Sequence, residues 1–303
     1  MNTSLDCIPC LLRQTLEAAR MVSKDPAVHE QMMREVLYWT SEMDLRQSPP
    51  AVAQRIQQRL RQITGVEDPY RAAKARQNHI ALELLPSLRA KIQSSAAPLE
   101  TAVHIAIAGN MIDMGAHSDV SEADVYQALQ QAASAPFYGE MDLFSQAISK
   151  ARSILYLADN AGEIAFDRLL IEQISPERIT LVVRGAPVIN DATRVDAQAV
   201  GLDKIVEIID NGSDAPGTLL EDCSPEFCHR FANADLIIAK GQGNFESLNH
   251  QPGNIFFLFK VKCPMVAKHV MQPVGTQVLV RSSLGALATA HWLYRQSDSG
   301  LPE

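Results

Sequence analysis

Nowhere does this chain carry an apolar run approaching the ~20 residues that a membrane-spanning helix needs, so no membrane partner is expected. Its first residues, Met1-Asn2-Thr3-Ser4-Leu5-Asp6, have neither the basic start nor the apolar core of a secretory signal, and a cytoplasmic location is the expectation. Cysteine is scarce and odd in number, five in 303 residues, which argues against a disulfide framework. Basic residues are outnumbered, 27 Lys and Arg against 35 Asp and Glu for a formal charge of −8. A surface built for phosphate backbones is therefore not expected, nor is a nucleic-acid partner. Fixed-period repeats and low-complexity tracts are missing. So are His-x-x-x-His and Ser-His-Asp arrangements; His79, His104, His117, His250, His269 and His291 are scattered and read as surface or satisfied core residues.

What is present is a globular composition that changes character near residue 150. From Ile8 to about Ile148, apolar residues recur at helical spacing, as in Leu11, Leu12, Thr15, Leu16 and Ala19. Breaks at Ser48-Pro49-Pro50, Gly65 to Pro69, Ser94 to Pro98 and Ala135 to Gly139 divide this half into about five or six helices. Beyond it, β-branched runs alternate with helical stretches: Ile154 to Ala158, Ile179 to Val183, Ile205 to Ile209, Leu236 to Ala239, Phe256 to Phe259 and Val278 to Val280. That rhythm predicts βαβ units and a mostly parallel sheet. The expected organisation is a helical region over 1–150 and an α/β domain over 151–303.

Three loops carry the chemistry. Asp159-Asn160-Ala161-Gly162-Glu163 follows the first predicted strand, and Arg184 to Thr193, with Asn190-Asp191, follows the second. Lys240-Gly241-Gln242-Gly243-Asn244-Phe245-Glu246 follows the fourth. In a parallel sheet these loops share the carboxyl edge, where ligands bind in open α/β folds. Carboxylates beside carboxamides suit a hard divalent cation, and a lysine with glycine-opened backbone N–H groups suits an anion. Singly, Asp159 reads as a turn former and Asp191 as a helix N-cap; three polar clusters after three strands favour a metal-plus-phosphate site. The Gly241-Gln242-Gly243 piece meets neither the dinucleotide fingerprint nor the P-loop.

These segments, with Cys7-Ile8-Pro9-Cys10 and Gly109-Asn110-Met111-Ile112-Asp113, resemble the damage-control phosphatase family, also called acidic-residue methyltransferase-like. The match is to its prokaryotic branch with an N-terminal Cys-x-x-Cys. The resemblance implies a Rossmann-like three-layer α/β/α domain preceded by an all-helical region. It also implies metal-dependent hydrolysis of small phosphorylated metabolites. By motif it places metal ligands on Asp159, Asn160 and Asp191, and a phosphate-contacting lysine on Lys240, with Glu163, Gly241, Gly243 and Asn244 nearby. Mn²⁺, Co²⁺, Ni²⁺ and Mg²⁺ are the cofactors it implies, and oxygen ligands agree with the harder of these. Asn110 and Asp113, three apart on one helix face, are placed at the substrate side, against a plainer reading as a solvated helix end.

The mechanism expected from charge accounting is attack by a metal-activated water, with Lys240 stabilising the transferring group and Glu163 or Asp159 handling the water's proton. An aspartyl-phosphate at Asp159 is the covalent alternative, disfavoured because no Asp-x-Asp follows. Two other classes compete: a carboxyl methyltransferase using S-adenosylmethionine, for which Ala161-Gly162 is a thin glycine loop, and a non-catalytic phosphometabolite-binding protein. Cys7 and Cys10 admit a redox pair, part of a zinc site, or buried unpaired thiols. Oligomeric state and the physiological substrate are not legible.

Overall fold

A computed structural model describes residues 1–109, 129 and 131–282. Five helices come first: α1 (Cys7–Val22), α2 (Pro26–Glu42), α3 (Pro49–Thr64), α4 (Arg71–Gln93) and α5 (Pro98–Ala108). Proline opens three of them at a position where the missing N–H is not needed. The Asp25 side chain caps α2 by accepting from Ala27 N–H.

There follow β1 (Phe137–Gly139), α6 (Met141–Lys150), β2 (Ile154–Leu157), α7 (Glu163–Ile171), β3 (Ile179–Val183), α8 (Arg194–Ala199) and β4 (Glu207–Asp210). The chain continues through α9 (Pro225–Asn233), β5 (Leu236–Lys240), α10 (Gly241–Leu248), β6 (Ile255–Lys260), α11 (Pro264–Val270) and β7 (Gln277–Arg281). The strands form one sheet in the order β1-β7-β6-β5-β2-β3-β4, parallel throughout except for the antiparallel pair of β6 and β7. All six strands expected from the β-branched runs are present.

One expectation is corrected. Ala135 to Gly139 was read as a break inside an all-helical half, yet Phe137–Gly139 pairs in parallel with β7. Three residues flanked by a proline and ending in glycine are too few to show an alternating pattern, so this edge strand is created by its partner. The fourth strand begins two residues later than its apolar run, because Ile205 is taken into the preceding 3₁₀ turn.

Central strands are covered on both faces, which is why they read as continuous apolar runs. Successive side chains alternate. Ile154 and Tyr156 of β2 face a core shared with Leu88 of α4, Ile105 and Ile107 of α5, and Phe166 and Leu170 of α7. Leu155 and Leu157 face the opposite layer, with Phe227 of α9 and Phe245 and Leu248 of α10. A third cluster joins α1, α2 and α3 through Leu11, Ala19, Met32, Val36, Ile56 and Leu60, and Ile189 from the loop after β3 packs against it. Among the described residues, no helix is long and apolar enough to cross a membrane.

Strand order places the site. From β2 the chain steps to β3 and β4 on one side, while β5 lies on the other. The carboxyl ends of β2 and β5 therefore flank a topological switch point, the crevice where open α/β sheets bind ligands. Leu157 stands in register with Ala239, so Asp159 and Gly241 leave the sheet side by side.

Candidate active site

β2 is followed by a hydrogen-bonded crossing rather than a loose turn. Asn160 and Asp191 form an isolated antiparallel bridge, with Ala161 N–H donating to Asn190 O at 2.9 Å and Ala192 N–H to Asp159 O at 2.8 Å. This brings two acidic side chains, thirty-odd residues apart in sequence, to one buried spot. The Arg184 guanidinium lies between them, with Nε 2.7 Å from Asp191 Oδ2 and Nη2 3.9 Å from Asp159 Oδ1. It also reaches Thr218 Oγ1 and Asn244 Oδ1 at 3.3 Å.

Asn160 is held by its amide nitrogen, which donates to Asp159 Oδ2 at 2.8 Å and Glu163 Oε2 at 3.2 Å. With Nδ2 committed to two carboxylates, Oδ1 is the atom left to offer a cation. The donor set at Asp159, Asn160 and Asp191 is thus two buried carboxylates and an amide oxygen. Oxygen donors of this kind suit a hard divalent ion, while the Arg184 guanidinium lies between the two acids and pairs with the same carboxylates.

Asp159 also depends on what faces it. Gly241 starts α10 with φ +81°, and a Cβ there would fall 2.0 Å from both Cγ and Oδ2 of Asp159. Only a glycine lets that helix start, with its positive dipole end, approach the carboxylate so closely. Gly243 makes a second close approach, a Cβ there falling 2.3 Å from Pro216 O in the loop after β4. Asn244 ties the two strand ends together by donating to Lys240 O at 2.7 Å and Ala158 O at 3.2 Å.

Lys240 ends β5 fully buried, and its ammonium is turned under the site rather than into it. It donates to Glu163 Oε1 at 2.6 Å, Asp167 Oδ1 at 2.5 Å and Ala106 O at 3.0 Å, which uses its three protons. Burial opposes the Lys240 charge, but Asp167 and Glu163 outweigh it and raise its pKa above the ordinary lysine value. Burial raises the pKa of Glu163 and of Asp167, with Lys240 offsetting part of the effect. Tyr156 OH donates to Asp167 at 2.8 Å, and burial, then Asp167, pushes its pKa well above the usual phenol value. Lys262, just beyond β6, donates its backbone N–H to Gln242 Oε1 at 3.0 Å, and its charge opposes in small part the burial-driven rise of the Glu163 and Glu246 pKa values.

The helical region braces these loops. Asn78 of α4 accepts from Gly162 N–H at 2.7 Å and donates to Asp196 at 2.9 Å. Arg61 of α3 donates to Pro187 O at 3.1 Å and pairs with Asp214, joining the loops after β3 and β4.

Of the residues expected from sequence, Asp159, Asn160, Glu163, Asp191, Lys240, Gly241 and Asn244 lie in or against this connected network, and Gly243 against the covering loop. Asn110 and Asp113 lie outside the described residues. Arg184, Asp167, Tyr156, Asn78 and Thr218 were not anticipated. A charge ending the apolar strand Ile179–Val183 was a signal for Arg184, and an acid inside the apolar helix Glu163–Ile171 for Asp167. Cys7 and Cys10 are free thiols in the first turn of α1, and among the described residues no group of three or more His, Cys, Asp or Glu side chains is arranged to hold a metal.

A family model described as the damage-control phosphatase ARMT1-like domain matches residues 3–278. The chain belongs to this family. A damage-control phosphatase of Archaeoglobus fulgidus is 36% identical over 286 residues, covering 92% of this chain and 98% of the relative. Damage-control phosphatase PH1575 of Pyrococcus horikoshii is 32% identical over 289 residues, covering 93% and 99%. The crystal structure of that DUF89 family protein superposes with a TM-score of 0.83 at 31% identity, over 93% of this chain and 99% of the other. Family membership thus accords with the fold: a helical region followed by a seven-stranded, mostly parallel sheet.

Proposed function

We propose that the crevice hydrolyses phosphomonoesters of small metabolites, using a divalent cation held by Asp159, Asn160 and Asp191. The observation that carries this reading is the pair of buried carboxylates with an adjacent, oriented amide at the switch point, beside the start of α10. The names of the archaeal relatives support the same reaction class. Mn²⁺, Co²⁺, Ni²⁺ or Mg²⁺ fits the oxygen donors, and such an ion supplies charge neutralisation at phosphoryl oxygens and a more acidic bound water.

The chain's own residues do the rest. Arg184, already beside Asp191, offers fixed positive charge where phosphoryl oxygens gather charge in the transition state. Backbone N–H groups at the start of α10 add a dipole of the same sign. Asp159, whose carboxylate faces the start of α10, orients the attacking water and takes its proton; its Oδ2 accepts from Asn160, as Glu163 Oε2 does, while Glu163 Oε1 is held by Lys240. Lys240 holds the Glu163 carboxyl in place, and it reaches a phosphate only by giving up one of its three partners. Asn110 and Asp113 are assigned to the substrate side on their motif alone. A methyltransferase reading is weaker here, since the Gly162 N–H of the first βα turn is already taken by Asn78.

The test is a screen of phosphorylated metabolites on chelator-stripped protein, with and without Mn²⁺, Co²⁺, Ni²⁺ or Mg²⁺, alongside Asp191→Asn. Metal-dependent phosphate release is expected, and Asp191→Asn is expected to lose it and to weaken Mn²⁺ binding by about tenfold or more. Full metal-dependent activity in Asp191→Asn would remove that ligand, and no release from any ester would leave a binding protein instead.

A further inference from the structure

We propose that Asp167 and Tyr156 are positioning residues for this site, acting through Lys240 and Glu163 to fix which atom of the Asn160 amide is available to a cation. The inference rests on the reading of Asn160 as a ligand, and it concerns residues that touch neither metal nor substrate.

The connection is an unbroken run of hydrogen bonds. Tyr156 OH donates to Asp167 Oδ1 at 2.8 Å, and Lys240 Nζ donates to the same oxygen at 2.5 Å and to Glu163 Oε1 at 2.6 Å. Glu163 then accepts from Asn160 Nδ2 through its other oxygen, at 3.2 Å. Tyr156, Asp167 and Lys240 are wholly inaccessible, and Glu163 is 1% exposed, so the run is shielded from bulk solvent.

An asparagine amide is nearly symmetric in shape, so its partners decide whether oxygen or nitrogen faces a ligand. Asp159 Oδ2 and Glu163 Oε2 both accept, which commits Nδ2 to them and leaves Oδ1 to a cation. A flipped amide would present N–H donors to a positive ion. Glu163 can enforce the orientation only while its carboxylate is held in one rotamer, and Lys240 holds it. Lys240 is in turn aimed by Asp167 and Ala106 O, and Asp167 by Tyr156.

Stability alone does not account for this arrangement. Two carboxylates share one buried ammonium, and Asp167 Oδ2 has no hydrogen-bond partner among the described residues. Buried ionic groups of this kind are often replaceable by apolar side chains without loss of stability. Apart from Glu163, the other buried positions of the helix Glu163-Ile164-Ala165-Phe166-Asp167-Arg168-Leu169-Leu170-Ile171 are apolar, which sets Asp167 apart. The acid's distinctive contribution is the aim it gives Lys240.

Asp167→Asn and Tyr156→Phe keep shape while weakening or removing one link each; Ile164→Val, a core change on the same helix, is the control. Two readouts are needed on chelator-stripped protein: Mn²⁺ affinity by calorimetry, and the Asn160 side-chain amide resonance in ¹⁵N-asparagine-labelled protein. Asp167→Asn is expected to shift that resonance, to lower its exchange protection about tenfold and to weaken Mn²⁺ about tenfold. Tyr156→Phe should do the same to a lesser degree, and Ile164→Val should do neither. An Asn160 resonance unchanged in both variants would overturn the proposal. So would unchanged Mn²⁺ affinity in both while Asp191→Asn loses it. If Asp191→Asn itself binds Mn²⁺ normally, the metal assignment falls, and the amide resonance still decides whether Asp167 and Tyr156 position Asn160.

Discussion

Replacing Gly241 with alanine should separate the backbone strain of the α10 start from its role in seating Asp159. The residue has φ +81°, and an L side chain in the left-handed region costs about 1–2 kcal/mol. The added methyl would also stand 2.0 Å from Asp159 Cγ and Oδ2 and 2.5 Å from Oδ1, so the carboxylate must move. Forcing extra volume into packed surroundings costs about 1–3 kcal/mol more. The expected destabilisation by urea unfolding is therefore about 2–5 kcal/mol. Gly65 provides the control, because it has φ +68° with nothing within 4 Å of its virtual Cβ. Gly65→Ala should lose only the strain, about 1–2 kcal/mol. The functional expectation follows from the direction of the clash: displacing Asp159 removes one carboxylate from the proposed cation's donor set and should weaken Mn²⁺ by about tenfold or more, equivalent to about 1.4 kcal/mol. Gly65→Ala should bind Mn²⁺ as the unaltered protein does. Equal stability losses in the two variants, with Mn²⁺ affinity untouched in both, would refute the claim that Gly241 is glycine for the sake of Asp159.

Two further perturbations test the surroundings. Burial pushes the Glu246 carboxyl up to about 7 from an ordinary 4.5, against the opposing effects of its Gln242 hydrogen bond, the chain's amino group and Lys262. The folded state thus retains a proton that the unfolded chain releases, so the contribution of Glu246 to stability is fullest below pH 4.5 and is lost as pH rises through about 7. A gap of about 2.5 at about 1.4 kcal/mol per pH unit bounds the loss near 3 kcal/mol. Glu246→Gln should flatten the urea-stability profile between pH 5 and 8, and parallel profiles for the two proteins would contradict this. Asn78→Ala leaves Gly162 N–H and one Asp196 contact without a buried partner, and should cost about 2–4 kcal/mol with weakened Mn²⁺ binding. A loss under about 1 kcal/mol would show that the α4 brace is replaceable, as a typical net hydrogen bond is.

Much of the architecture was readable because central parallel strands must be apolar on both faces. Runs such as Ile179–Val183 and Leu236–Lys240 announce themselves, and the polar residues that end them mark the ligand-binding edge. Asp159 and Asn160 stood out for that reason, whereas Asp191, well beyond the end of β3, was singled out by its loop and motif. Phe137–Gly139 was not, since a three-residue edge strand owes its existence to β7, far along the chain. Asn78 was equally silent: an asparagine in the helix Arg71–Gln93 looks like any polar helical residue until Gly162 is brought against it.

Lys240 shows where the division lies. Its position at the end of an apolar strand, before Gly241, marks it as part of a ligand-binding edge from sequence alone. Which way its ammonium points depends on Glu163 and Asp167, about seventy-five residues earlier in the chain, and on the backbone carbonyl of Ala106. What the amino-acid order determined by itself is the succession of helices and strands, and which residue types arrive at the carboxyl edge, because periodicity and strand burial are local properties. What only the tertiary structure decided is the pairing of charges there: Arg184 between Asp159 and Asp191, and Lys240 beneath Glu163 and Asp167. Desolvated charges choose their partners by distance in space, and strand order, not sequence separation, sets that distance.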